Sequence, residues 1–207
     1  MEQQKKILSI YCKYIKRGLD ILFSLILIVF LAPVMLIIAI AIKIDSRGKI
    51  IFKQKRCGRG MKAFTCYKFR TMISNTPHSV PANKLGDHKK YITRVGRFLR
   101  RSSLDELPQL FNVLVGDMSL VGPRPLICEE IEVHRIRNDA GIYALRPGLT
   151  GLAQVRGRNL LCDGEKIEND IVYLDNVKMR LDLKIIALTM GCIVVGKGVY
   201  CRENIKK

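Results

Sequence analysis

An α+β protein, mostly helical, with a small β-hairpin and an amino-terminal re-entrant (helix-break-helix) membrane segment is expected from three features of these 207 residues. The first is an uncharged apolar run from Ile21 to Ile42, interrupted only by Ser24 and Pro33. The second is a pair of strand-like segments, KIIFKQKR and MKAFTCYKFRTM, on either side of CGRG. The third is a series of later stretches whose apolar residues recur at helical spacing.

The apolar run comes first. Its 22 residues would reach roughly 33 Å as a straight helix, against a hydrocarbon core of about 30 Å, so a single span is the simplest reading. Pro33 argues against it. It has no N–H to donate to the Val29 carbonyl and its ring crowds the preceding turn, so the helix bends and neither arm spans alone. Charge points the same way: residues 1–20 hold five basic groups against two acids, and residues 43–62 hold eight against Asp45 alone. Basic flanks favour the cytoplasmic side, and a segment that enters and leaves on that side satisfies both flanks. A kinked single span is the alternative, because proline is tolerated in true spans. No small-residue cleavage site follows the run, which argues against a cleaved signal peptide. Residues 1–45 are thus read as the membrane segment and 46–207 as one globular domain with interfacial helices.

The net charge of +18 is uneven: +3 over residues 1–45, +15 over 46–104 where Asp87 is the one acid, and zero over 105–207. A polybasic stretch beside an apolar one is attracted to anionic membrane lipid; nucleic acid is the competing partner. Single-strand binding would need stacking aromatics, and with 7% aromatic residues and no tryptophan nothing supports base contacts. The seven cysteines contain no C-x-x-C pair and are odd in number. They read as reduced thiols, with no disulfide framework or zinc site.

The two strand-like segments and the glycine-containing turn between them form the hairpin, whose lysines could simply be solvated. Residues 73–90, with Pro77, Pro81 and Gly86, form a loop able to cover a site. Val95, Phe98, Leu99 and Ser102 share one face of a short helix and Arg94, Arg97 and Arg101 another, which suits either a membrane surface or a core-packed helix with a wet arginine face. In SSLDELPQLFNVLVGDMSLVGPRP, Leu107, Leu110, Phe111 and Leu114 have helical spacing and Gly116 stops the helix. Ser103 with Glu106 matches a capping box, and Asp105 would complement the helix dipole. Pro108, as a first helical residue, would instead leave both acids just outside. VGPRP holds Arg124 between two prolines, and ALRPGLTGLAQVRGRN sets Arg146, Arg156 and Arg158 among glycines; such turns suit phosphate recognition. From Asp163 to Val177, Ile167, Ile171 and Leu174 make an amphipathic helix whose other face is acidic, including Glu168 and Asp170. Leu181–Val199 is apolar, but its uncharged core is too short to span, so a core or interfacial helix is expected.

Adjacent carboxylates among many cations are held ionised, which makes them poor general acids and good nucleophiles or metal ligands. With a divalent cation and arginines this is the equipment for phosphoryl transfer, and at a membrane the natural acceptor is a lipid phosphate. A non-catalytic membrane scaffold, or a membrane-anchored nucleic-acid-binding protein, is the rival class.

The segments KRGLDILFSLILIVFLAPVMLI, YKFRTM, SLDELPQLFNVLVGDMSLVGPRP and RPGLTGLAQVRGRN together resemble the bacterial sugar transferases, the monotopic phosphoglycosyl transferases, in their minimal form. The resemblance runs from about Lys16 to about Asp182 and implies a bacterial inner-membrane enzyme with its catalytic domain on the cytoplasmic face. It implies transfer of a sugar 1-phosphate from a UDP-sugar to polyprenyl (undecaprenyl) phosphate with release of UMP. By the same resemblance Asp105 is the nucleophile, Glu106 the ligand for Mg²⁺, and Arg124 and Arg100 the phosphate-binding residues. Lys68, Asp170 and Tyr173 match further family positions. Ala32 departs from the family, where serine often precedes the membrane proline. The sugar, the glycan pathway and a possible homodimer stay open.

Overall fold

A computed structural model describes residues 11–73, 91–157 and 160–194 of the chain. Most of the expected loop, residues 74–90, lies outside the described residues, as do Arg158 and the end of the last apolar stretch.

A π-helical turn, Tyr11–Ile15, runs into helix α1, Lys16–Asp45, which contains Pro33. Helical structure continues on both sides of the proline. The expected break is therefore not an interruption of the helix. Proline removes one donor and leaves the flanking i→i−4 bonds in place, so any bend is contained within a continuous element. Among the described residues α1 is the one helix long and apolar enough to cross a membrane, and 11% of its most apolar window is buried. Asp20, Ser24, Ile38 and Ile42 are buried, while Ile28, Leu31 and Met35 between them are half-buried. Steps of three or four residues place all of these on one helix face, turned toward the rest of the chain along the whole length. Phe30, 78% exposed, and Ile37, 67% exposed, stand on the other side.

The expected hairpin is formed by β1, Ile51–Cys57, and β2, Ala63–Phe69, antiparallel around a turn that contains Gly58 and Gly60. Arg70, just past β2, donates from Nη1 to the Arg47 carbonyl and from Nη2 to the Ser46 carbonyl, both at 2.7 Å, and so closes the carboxyl end of α1. The basic helix follows as α2, Arg94–Ser102. Thr93 caps it through Oγ1 to the Gly96 amide at 3.0 Å, and Asp45 Oδ2 accepts the Val95 amide at 3.0 Å. A Cβ on Gly96 would meet the Thr71 carbonyl oxygen at 2.1 Å, so this glycine lets α2 lie against the backbone that follows β2. Leu99 of α2 is buried with Ile38, Ile42 and Phe69, whereas Phe98 is 63% exposed.

Helix α3, Gln109–Val115, ends on Gly116, whose positive φ of 101° supplies the left-handed stop. Arg17 of α1 donates to the Val113 and Leu114 carbonyls at 2.6 and 2.9 Å, pinning the start of α1 to the end of α3. Asn112, fully buried, takes the Tyr67 amide at 3.0 Å and donates to the Thr65 carbonyl at 2.7 Å, so its amide pairs with the free edge of β2. Two three-residue strands, β3 (Ser119–Val121) and β4 (Gly148–Thr150), pair in parallel. They lie inside the proline- and glycine-rich stretches that read as turns alone.

Helices α4 (Ile131–Asp139), α5 (Leu152–Arg156), α6 (Asp163–Asp175) and α7 (Met179–Val194) complete the described chain. In α6, Ile167 and Leu174 are buried and Glu168 is exposed, as its pattern predicts. Asp170 is not on the acidic outer face. It is 3% exposed, because position 170 lies three residues after Ile167 and four before Leu174 on the inward side, where Arg137 of α4 pairs with it. Val121, Tyr173, Leu174 and Ile185 of α7 form the central core.

Candidate active site

Ser103 ends α2 in the left-handed region, φ 58° and ψ 15°, and reverses the chain into a 3-10 turn, Leu104–Glu106. Helix α3 begins only at Gln109, after Pro108. Ser103 makes no side-chain cap, so the capping-box reading gives way to the other: both acids stand just outside the helix. Proline has a fixed φ suited to a helix start and no N–H to leave unsatisfied there. Leu104 of this turn and Leu107 just after it pack with Met35 of α1 against the cluster around Ile38 and Leu99, which ties the turn that carries the two acids to the carboxyl-terminal half of the apolar helix.

Glu106 is 8% exposed. Its Oε1 accepts from Lys68 Nζ at 2.7 Å and from Arg124 Nη2 at 3.0 Å. Such charge-assisted bonds are short and strong, and two of them on one oxygen fix the direction of the carboxylate. Asp105 is half-buried, and its charge acts on both Arg100 and Arg124. The Glu106 carboxylate, helped by Asp105, pushes the Arg124 guanidinium above its usual range, against the effect of burial. Burial pushes Arg100 down, and the charge of Asp105 opposes that. Arg100 is oriented by a bond from Nε to Thr71 Oγ1 at 2.9 Å.

The hairpin register explains how Lys68 reaches this place. Phe52 with Lys68, Gln54 with Cys66, and Arg56 with Phe64 are direct cross-strand partners. Their side chains therefore leave the same face of the hairpin. That face also brings Arg56, which sequence reasoning missed among eight basic residues between 43 and 62. Arg56 donates to the Pro125 carbonyl and to Gln54 Oε1. Burial, followed by the nearby charge of Arg124, pushes its guanidinium down. Strand alternation counted from Lys68 was the one signal that could have found it.

The structure thus gathers Lys68, Arg100, Arg124, Asp105 and Glu106. Arg146 instead donates from Nε to the Gly116 carbonyl at 2.9 Å, at the far end of α3. Asp170 instead pairs with Arg137. Two adjacent carboxylates offering only oxygen suit Mg²⁺, which takes one or two protein carboxylates and fills its shell with water and phosphate. That mode needs no larger ligand cluster, and among the described residues no group of three or more His, Cys, Asp or Glu is gathered for a metal.

The family model described as bacterial sugar transferase matches residues 11–196. This chain belongs to the bacterial sugar transferases. Residues 11–196 take in every described element of the fold and the five residues just gathered. This bacterial sugar transferase is 36% identical over 214 residues to an uncharacterized sugar transferase of Haemophilus influenzae, across 97% of this chain and 45% of the relative. It is 41% identical over 193 residues to a UDP-N-acetylgalactosamine-undecaprenyl-phosphate N-acetylgalactosaminephosphotransferase of Aeromonas hydrophila, across 89% of this chain and 45% of the relative. To a UDP-glucose:undecaprenyl-phosphate glucose-1-phosphate transferase of Caulobacter vibrioides it is 42% identical over 194 residues, across 89% of this chain and 72% of the relative. The chain thus spans less than half the length of the first two relatives.

Proposed function

We propose that this bacterial sugar transferase moves a sugar 1-phosphate from a UDP-sugar to polyprenyl phosphate through a covalent intermediate on Asp105. The observation that carries the reading is the Asp105–Glu106 turn set among Lys68, Arg100 and Arg124 on the flank of an exposed apolar helix. The names of the Aeromonas and Caulobacter relatives support the substrate classes.

A carboxylate oxygen of Asp105 attacks the phosphorus that bears the sugar. The bond from that phosphorus to the bridging oxygen breaks, and UMP leaves with the electron pair. An oxygen of polyprenyl phosphate then attacks the same phosphorus and expels the Asp105 carboxylate, giving the polyprenyl diphosphosugar. Arg124 and Arg100 would hold non-bridging oxygens, and Lys68 would keep Glu106 in place. Glu106, with Asp105 beside it, would hold Mg²⁺, which when bound supplies neutralising charge for the diphosphate.

Packing along α1 supports a helix that enters and leaves the membrane on one side. Arg17 near its start and Ile42 near its end both rest on the same body, although 25 residues of straight helix measure roughly 37 Å. A span that placed its amino end across the bilayer would lose the contacts of Lys16, Arg17 and Asp20 with α7, α3 and β3. The inner membrane, with the site on the cytoplasmic face, is the location proposed, and the amino terminus is expected to be reachable only from the cytoplasm. Labelling of that terminus from outside intact cells would contradict this topology.

The reaction is tested with purified protein, Mg²⁺, undecaprenyl phosphate and, in turn, UDP-glucose, UDP-galactose and UDP-N-acetylgalactosamine. Release of UMP with at least one donor is expected. Release of UDP, which requires cleavage at the sugar carbon instead of at phosphorus, would overturn the mechanism.

A further inference from the structure

Arg124 is carried to Glu106 by the segment Pro123–Ile127, and each carbonyl of that segment is taken. The Pro123 carbonyl accepts the Gly148 amide at 2.8 Å and that of Leu126 the Cys57 amide at 3.0 Å. Side chains take the other three: Arg137 Nη1 donates to the Arg124 carbonyl at 2.9 Å, Arg56 to that of Pro125, and His134 Nε2 meets that of Ile127 at 2.8 Å. Pro123 and Pro125 have no N–H, so the segment has few donors of its own and its course depends on donors brought to it.

The grip on Arg124 itself is built from a buried ion pair. Arg137 on α4 and Asp170 on α6 are each 3% exposed, and Arg137 Nη2 donates to Asp170 Oδ2. Such a pair is a poor source of stability, because desolvation of both ions offsets their attraction. What it gives is direction. The planar fork of arginine fixes two donors relative to each other, so that Asp170 on one nitrogen aims the other at the Arg124 carbonyl; the ammonium of lysine has no such fork.

We propose that Arg137, oriented by Asp170, is a positioning residue that fixes the backbone of Arg124 so that its guanidinium meets Glu106 beside the reacting phosphorus. Asp170 then acts through Arg137 instead of touching substrate. This rests on the transfer reaction proposed above and adds to it a requirement from two helices, α4 and α6, that do not carry the dyad.

A double-mutant cycle tests it, with UMP release measured for whichever of the three UDP-sugars is turned over. Arg137→Lys is expected to lower kcat about tenfold to a hundredfold, since small misplacements of a binding group have effects of that size. Its melting temperature in detergent should stay near that of the wild type. In an Arg124→Ala background the same substitution is expected to change kcat by less than about twofold, because the group it positions is gone. The same loss in both backgrounds, or no loss in the single variant, overturns the proposal. Should Arg137→Lys not fold, Asp170→Asn carries the same cycle; collapse of both variants would make the pair a purely structural one and also overturn the positioning role. A wild type that releases no UMP from any of the three donors removes the transfer reading itself. An active wild type with additive losses removes only the positioning role.

Discussion

Asp105→Asn is expected to lower UMP release by at least about 10³-fold, because an amide has neither the charge nor the lone-pair basicity of the attacking carboxylate. The substitution is isosteric. Asp105 lies half-buried in the 3-10 turn that precedes α3, and no capping box depends on that turn. Stability should therefore change by no more than about 1 kcal/mol, the ordinary range for a cap or surface position. Turnover and folding are thus separable at this residue. Normal turnover by a folded Asp105→Asn protein would leave Asp105 a structural acid and support the scaffold reading.

The second large effect is one of stability. Asp182 of α7 is 5% exposed. Its Oδ2 accepts from Tyr11 Oη at 2.6 Å and Lys16 Nζ at 2.5 Å, and its Oδ1 from Tyr173 Oη at 2.7 Å. Burial first, and the carboxylate with it, pushes both tyrosine hydroxyls far above their usual range, so they remain protonated donors. Asp182→Ala would deprive the Lys16 ammonium, 12% exposed, of its counter-charge, take the acceptor from Tyr11 Oη, and leave Tyr173 Oη with the Val121 carbonyl at 3.3 Å. Breaking a buried pair in this way costs about 3–5 kcal/mol. The start of α1 is expected to loosen from α6 and α7, and the melting temperature in detergent to fall accordingly. A loss below about 1 kcal/mol would mean that the three donors find water instead, as for an exposed pair.

Local signals were enough for much of this structure. Alternating strands around CGRG gave the hairpin, Leu110 with Gly116 gave α3 and its end, and Ile167 with Leu174 gave α6. The dyad and Arg124 stood out because SLDEL and GPRP are dense in residues with constrained chemistry. Two patterns competed at the start of α3. Ser103 with Glu106 reads as a capping box, and Pro108 reads as a helix start. The choice between them depends on Lys68 and Arg124, which draw Glu106 away from the helix from positions 38 residues before and 18 after it. No local rule contains those partners.

Asp170 shows the same limit. Its neighbours in sequence are acidic and amphipathic, which suggests an outer face, while its ion partner Arg137 lies 33 residues away on another helix. The pairing of β3 with β4 was hidden for a different reason: strands of three residues flanked by proline and glycine carry too few alternations to be told from turns. Pro33 is the reverse case. A proline in an apolar run signals a bend, and a bend inside a continuous helix satisfies that signal as well as a break does.

The proposed reaction turns on a bond between Asp105 and phosphorus. Intact-protein mass spectrometry, after incubation with the UDP-sugar that is turned over and without polyprenyl phosphate, measures it directly. The wild type is expected to gain the mass of one sugar phosphate less water, with UMP released in equal amount and digestion placing the adduct on the peptide that contains Asp105, and Asp105→Asn to gain none. UMP that appears only after polyprenyl phosphate is added, with no adduct at any time, would mean direct transfer between the two substrates and would contradict it.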